Sequence, residues 1–142
     1  MAVSSTGKKI MQEYDGKLRL VMKEVPYRQR QYSLNAALAA LAAGDQGKYR
    51  EMHYLLFDRW QQFGEESLMI NARELGLDPE RFKQSMNSKK HADAIERNFK
   101  LAEELHVFTT PTFFINGKKY DGELTYREFK KIIEGELSHA KQ

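Results

Sequence analysis

The 142-residue sequence contains no cysteine. That absence excludes disulfide staples, thiolate metal sites and a cysteine nucleophile. Long apolar runs are missing too. The longest stretch of small and apolar residues, Ala36 to Ala43, is too short to span a bilayer. Met1 to Lys9 is polar and lacks the apolar stretch of a secretory signal, so the chain as written is expected in the cytoplasm, away from membranes. There is no concentrated basic stripe. Lys8-Lys9, Lys89-Lys90, Lys118-Lys119 and Lys130-Lys131 are isolated pairs, so a net charge of +3 reads as solvated surface, with no nucleic-acid partner.

Chemistry-bearing motifs are equally sparse. His53, His91, His106 and His139 are scattered without metal-ligand spacing, and no metal or other cofactor is implied. His53 sits beside Met52 and Leu56 in a helical stretch and reads as a packed structural histidine. No Gly-rich phosphate loop, zinc motif or hydrolase elbow occurs. The carboxylate pairs Glu65-Glu66 and Glu103-Glu104, and Asp121 with Glu123, read as solvent-facing charge, because neighbours on a helix point different ways.

What is present is periodic. Lys9 to Tyr14 is weakly helical and stops at the turn signal Asp15-Gly16. Lys17 to Glu24 alternates, with Leu18, Leu20 and Met22 on one face, and predicts a strand closed by Pro26. Helices are predicted over 31–43, 46–62, 66–75 and a short stretch from Asp78-Pro79, an N-cap followed by a first-turn proline. Another follows Ser88 and runs to about His106. In the first of these, Leu34, Leu38 and Leu41 with the alanines between them form a narrow apolar stripe. In the second, Tyr49, Met52, Leu55, Leu56 and Trp60 recur at helical spacing and are expected in the core. Thr112 to Asn116 is β-branched and aromatic, Asn116-Gly117 is a hairpin turn signal, and Lys118 to Asp121 returns. Thr125-Tyr126-Arg127-Glu128 is a capping box for a last helix to about Ser138. This order predicts one α/β domain over 1–142, with helices packed on a small mixed sheet.

The segment Thr109-Thr110-Pro111-Thr112-Phe113-Phe114-Ile115-Asn116-Gly117 resembles the cis-proline loop and hairpin of the DsbA-like thioredoxin-fold family of thiol:disulfide oxidoreductases. Asn35 to Tyr49, continuing through Glu51 to Phe57, looks like the start of that family's helical insertion, and Lys17 to Val21 like the strand before it. The resemblance implies a thioredoxin-like fold with a helical insertion at about 31–106 and a cis-proline loop, hairpin and last helix at about 107–138.

It also implies a Cys-X-X-Cys motif at the start of the first helix, which this sequence lacks. Ser5 to Tyr14 matches the later part of that helix, so the first strand and the start of the first helix are expected to be missing. A rival alignment puts Ser4-Ser5-Thr6-Gly7 in the motif's place. Without cysteine the chain is expected to be redox-inactive, since exchange passes through a mixed disulfide. By the same resemblance Thr110 and Pro111 would pair with an extended peptide or unfolded protein by β-augmentation. The unpaired sheet edges would favour a homodimer. A third reading is a glutathione-binding protein using Ser4 or Ser5 near a helix start. The family's oxidoreductases work outside the cytoplasm, where disulfides persist.

Overall fold

The computed structural model describes residues 2–140, with side chains from Ser5 onward. In chain order the elements are α1 (Ala2–Glu13), α2 (Gln31–Gly44), α3 (Tyr49–Asp58), α4 (Glu65–Glu74), α5 (Pro79–Met86), α6 (Lys89–Glu104), β1 (Thr112–Ile115), β2 (Lys118–Asp121) and α7 (Tyr126–His139). The backbone divides into two compact units. One joins Met1–Met22 to Leu105–Gln142, and the other is Lys23–Glu104.

The regular elements of the Lys23–Glu104 unit are all helices. Its centre is α2, whose Ala39, Ala40, Ala42 and Ala43 are fully buried against Met52, Leu68, Ala72 and Phe82. The leucines of the expected stripe are only half-buried, because the alanine face lets α3, α4 and α5 close on the backbone itself. α3 is shorter than its periodicity suggests. Gly47 takes a positive φ of 76° and holds the turn before Tyr49, and the helix ends at Asp58, which leaves Trp60 exposed. Asp78 caps α5 by accepting from the Arg81 N–H at 2.9 Å, with Pro79 in the first turn. Arg28 lies over the Phe99 ring of α6 at 3.8 Å.

The other unit packs α1 and α7 around Ile10, Tyr14, Phe129 and Ile133. Leu18, Phe113 and Ile115 lie against this cluster, and Phe113 meets the Phe129 ring edge-on at 4.8 Å. The hairpin has the predicted two-residue turn, with φ of 46° at Asn116 and 83° at Gly117. Glu136 of α7 accepts from both ends of that turn, Asn116 Nδ2 at 3.0 Å and Lys118 Nζ at 2.9 Å. The capping box forms in full at the start of α7.

Two further expectations change. α1 begins at Ala2, well before Lys9. The strand expected at Lys17–Glu24 does not form, and the sheet among the described residues is a two-stranded antiparallel hairpin, with no mixed sheet. The expected inner face forms only in part: Leu18 and Met22 are half-buried, but Leu20 is exposed along with Arg19 and Val21. A strand requires a ladder partner as well as a pattern, and among the described residues Leu18 to Met22 has none.

Candidate functional site

A proline before a strand fixes how the chain enters the sheet. Thr110–Pro111 does this for β1, and its peptide bond is cis. The loop is pinned on the Pro111 side. The Pro111 carbonyl accepts from the Gly122 N–H at 2.9 Å, and Thr112 Oγ1 donates to the Thr109 carbonyl at 2.7 Å. Thr110 itself is exposed, and among the described residues its N–H and C=O make no hydrogen bond. Phe108, 83% exposed, stands two residues before it. The result is a loop that presents one residue's free backbone two positions after an exposed apolar ring. Such an arrangement can add hydrogen bonds to an extended chain.

Ser4 and Ser5 fall within the first turn of α1. No group of histidine and carboxylate side chains suited to a metal occurs among the described residues. The carboxylates Glu65, Glu66, Glu103, Glu104, Asp121 and Glu123 are exposed.

The helical unit contains two polar clusters that sequence patterning did not bring together. In the first, Asp45 Oδ2 accepts from Ser85 Oγ at 2.5 Å and from His91 Nε2 at 2.7 Å, and Oδ1 accepts from Lys90 at 2.6 Å. A carboxylate can only accept, so the proton of His91 sits on Nε2. Serine and aspartate thus share one imidazole nitrogen, which is a structural clamp and not a relay toward a nucleophile. Burial pushes the Asp45 carboxyl up, but the bonds from Lys90, Ser85 and His91 outweigh it and hold it well below the usual range. A cavity of about 310 Å³ opens over Asp45, Arg81, Ser85 and Lys90.

In the second cluster Tyr49 OH donates to Glu24, His53 Nδ1 lies 3.5 Å from the same carboxylate, and His53 stacks on Tyr49. Burial first, and then the Glu24 charge, push the Tyr49 phenol far above its ordinary value. His53 is therefore packed between aromatic rings, as expected. The sequence carried no signal for either cluster, because each carboxylate lies 25 to 46 residues from the side chains it binds.

The family model described as Thioredoxin matches residues 2–135 of this chain. The chain is similar to the thiol-disulfide exchange protein alpha-DsbA2 of Wolbachia pipientis. That crystal structure superposes with a TM-score of 0.85 at 25% identity, over 94% of this chain and 73% of that one. A thioredoxin-like oxidoreductase of Silicibacter pomeroyi superposes with a TM-score of 0.78 at 26% identity, over 95% and 79%. Among curated sequences, the Na(+)/H(+) antiporter NhaA 1 of Salinispora arenicola is 36% identical over 106 residues. This chain spans about a sixth of the length of that antiporter (16%). Among the described residues no helix is long and apolar enough to cross a membrane.

Proposed function

This chain belongs to the thioredoxin family, in its DsbA-like branch, and from that premise we propose that it serves as a peptide-binding module without redox activity. The family chemistry needs a thiolate, and the sequence has no cysteine to supply one. The expected result is no reduction of insulin disulfides above a protein-free blank.

The observation that carries the binding reading is the exposed, unpaired Thr110 backbone beside Pro111. A peptide laid there exchanges water for backbone hydrogen bonds worth about 1 kcal/mol each, so affinity is modest and sequence-tolerant. Titration of an extended, blocked peptide should move the Thr110 amide resonance. A spectrum unchanged around Thr110 at millimolar peptide sinks this reading.

A cytoplasmic location belongs to the same proposal, since a chain without cysteine gains nothing from an oxidising compartment. Recovery of the protein from the periplasmic fraction overturns that part.

A further inference from the structure

An asparagine and the backbone nitrogen that follows it can react with each other, the nitrogen closing an imide ring on the side-chain carbonyl carbon. The chain has asparagine at 35, 71, 87, 98 and 116, and the structure separates the last from the rest. Asn35, Asn71 and Asn98 lie inside α2, α4 and α6, where the next N–H belongs to the helical ladder. Asn87 caps the end of α5, and the Ser88 N–H after it donates to the Ser85 carbonyl at 3.0 Å. After Asn116 the nitrogen is free, for among the described residues the Gly117 N–H makes no hydrogen bond. Both residues are exposed, and the space where a side chain on Gly117 would stand is open. The Asp-Gly pairs differ in chemistry, because a carboxylate is a poor electrophile. At Asp121-Gly122 the Gly122 N–H is also already given to the Pro111 carbonyl at 2.9 Å.

Glu136 opposes the reaction. Its carboxylate accepts from Asn116 Nδ2 at 3.0 Å and from Lys118 Nζ at 2.9 Å, and its side chain is only 20% exposed. Lys118, and then Asn116, hold this carboxyl below its usual range, so it is charged at neutral pH. Ring closure expels the very nitrogen that donates to Glu136, so the bond must be lost for the reaction to proceed.

We propose that Asn116 is a modification site, where the hairpin turn deamidates without an enzyme, and that Glu136 slows the conversion. The Gly117 nitrogen bonds to Asn116 Cγ, the Cγ–Nδ2 bond breaks, and the Gly117 proton leaves with the amide as ammonia. Water then adds to either imide carbonyl and opens the ring, leaving aspartate or isoaspartate, with no oxidant or reductant needed. Each product places a carboxylate where Glu136 had a donor, and like charges at such a contact destabilise it. Isoaspartate also adds a backbone carbon to a two-residue turn whose flanks, Ile115 and Lys118, are paired. Conversion therefore loosens the hairpin from α7, and the hairpin carries the Pro111 loop.

The test is incubation of the whole chain near neutral pH, with mass spectrometry of the tryptic fragments that contain Asn116 and Asn87. Acid should accumulate at Asn116 about tenfold faster than at Asn87, whose neighbouring nitrogen is hydrogen-bonded. A rate at Asn116 no higher than at Asn87 overturns the site. Glu136→Ala should speed conversion at Asn116 about tenfold, since a hydrogen bond to a charged acceptor is lost. Lys118→Ala removes the other partner of Glu136 but leaves the acceptor for Asn116, and should stay within about twofold of the parent. A Lys118→Ala rate equal to that of Glu136→Ala traces the effect to a loosened hairpin, and an unchanged Glu136→Ala rate removes Glu136 from the reaction. Either result overturns the protective role. Where Glu136→Ala does not fold, Glu136→Gln keeps an acceptor without the charge and should give a rise of about threefold, no rise again overturning the role. Asn116→Asp mimics one product and should speed amide exchange at Ile115 and Lys118 about threefold. Unchanged exchange there overturns the consequence for the hairpin.

Discussion

Replacing Asp45 by asparagine tests whether the clamp on His91 stabilises the helical unit. The carboxylate accepts three charge-assisted hydrogen bonds, but they are not equal. Lys90 is 71% exposed, so its pair with Asp45 contributes about 0.5 kcal/mol after solvent screening. His91 is almost fully buried, and Ser85 is half-buried, so these two bonds carry more. Removing an acceptor from a buried donor costs about 1–3 kcal/mol. Asp45→Asn keeps the shape and an acceptor oxygen for Ser85 and His91, but both inner bonds fall from charge-assisted to neutral strength and the amide nitrogen faces Lys90. The expected loss is about 2 kcal/mol in urea unfolding followed by far-UV circular dichroism near neutral pH.

The sign of the pH dependence follows from the lowered carboxyl. Asp45 titrates below its unfolded value, so its contribution is complete above about pH 4 and is lost as pH falls through the folded pKa. The parent should therefore lose stability on acidification more steeply than Asp45→Asn. Combining it with His91→Gln should give a coupling of about 1 kcal/mol, because the two groups touch. A loss below about 0.5 kcal/mol, or parallel acid limbs for parent and variant, would refute the reasoning.

Phe82→Ala removes the largest fully buried side chain of the same unit and should cost about 3–5 kcal/mol, read from the urea midpoint at unchanged slope. Thr125→Ala removes the N-cap of α7 and should cost about 1 kcal/mol, with faster amide exchange in the first turn of α7. Glu128, whose carboxyl the Thr125 hydroxyl and then the Thr125 N–H hold below its usual value, makes part of this cap fade as pH falls.

The elements with local punctuation were legible in the sequence. The Asp78-Pro79 start, the Asn116-Gly117 turn and the Thr125 capping box are each fixed by residues within four positions of one another, and each stands where the pattern put it. What failed depended on distant partners. Lys17 to Glu24 has the alternation of a strand, but pairing is a property of two chain segments, and one segment's pattern cannot supply the other. Trp60 fell outside the core because α3 stops at Asp58, two residues too soon to carry it inward. Ile70 is exposed while Asn71 is buried, which inverts what hydropathy favours. The Arg59 guanidinium donates to Asn71 Oδ1 at 2.5 Å and offsets part of the cost of burying that amide. The Thr110–Pro111 loop was found only through family resemblance. Its exposure and its free backbone came from the structure.

The buried alanines of α2 have a consequence for how the protein can vary. An alanine face adds little apolar area of its own, and it leaves neighbouring helices no slack. At Gly44, the end of that helix, even a single added carbon would stand 3.3 Å from Tyr49 Cβ. Tolerance to substitution is therefore one-sided. Met52, Leu68 and Phe82 can be trimmed at a graded cost, each lost methylene being felt in proportion. Along Ala39, Ala40, Ala42 and Ala43 every change but glycine adds volume where none is available, and glycine loosens the helix. Drift in this unit is confined to the residues that surround α2, and α2 itself sets the spacing to which they must adapt.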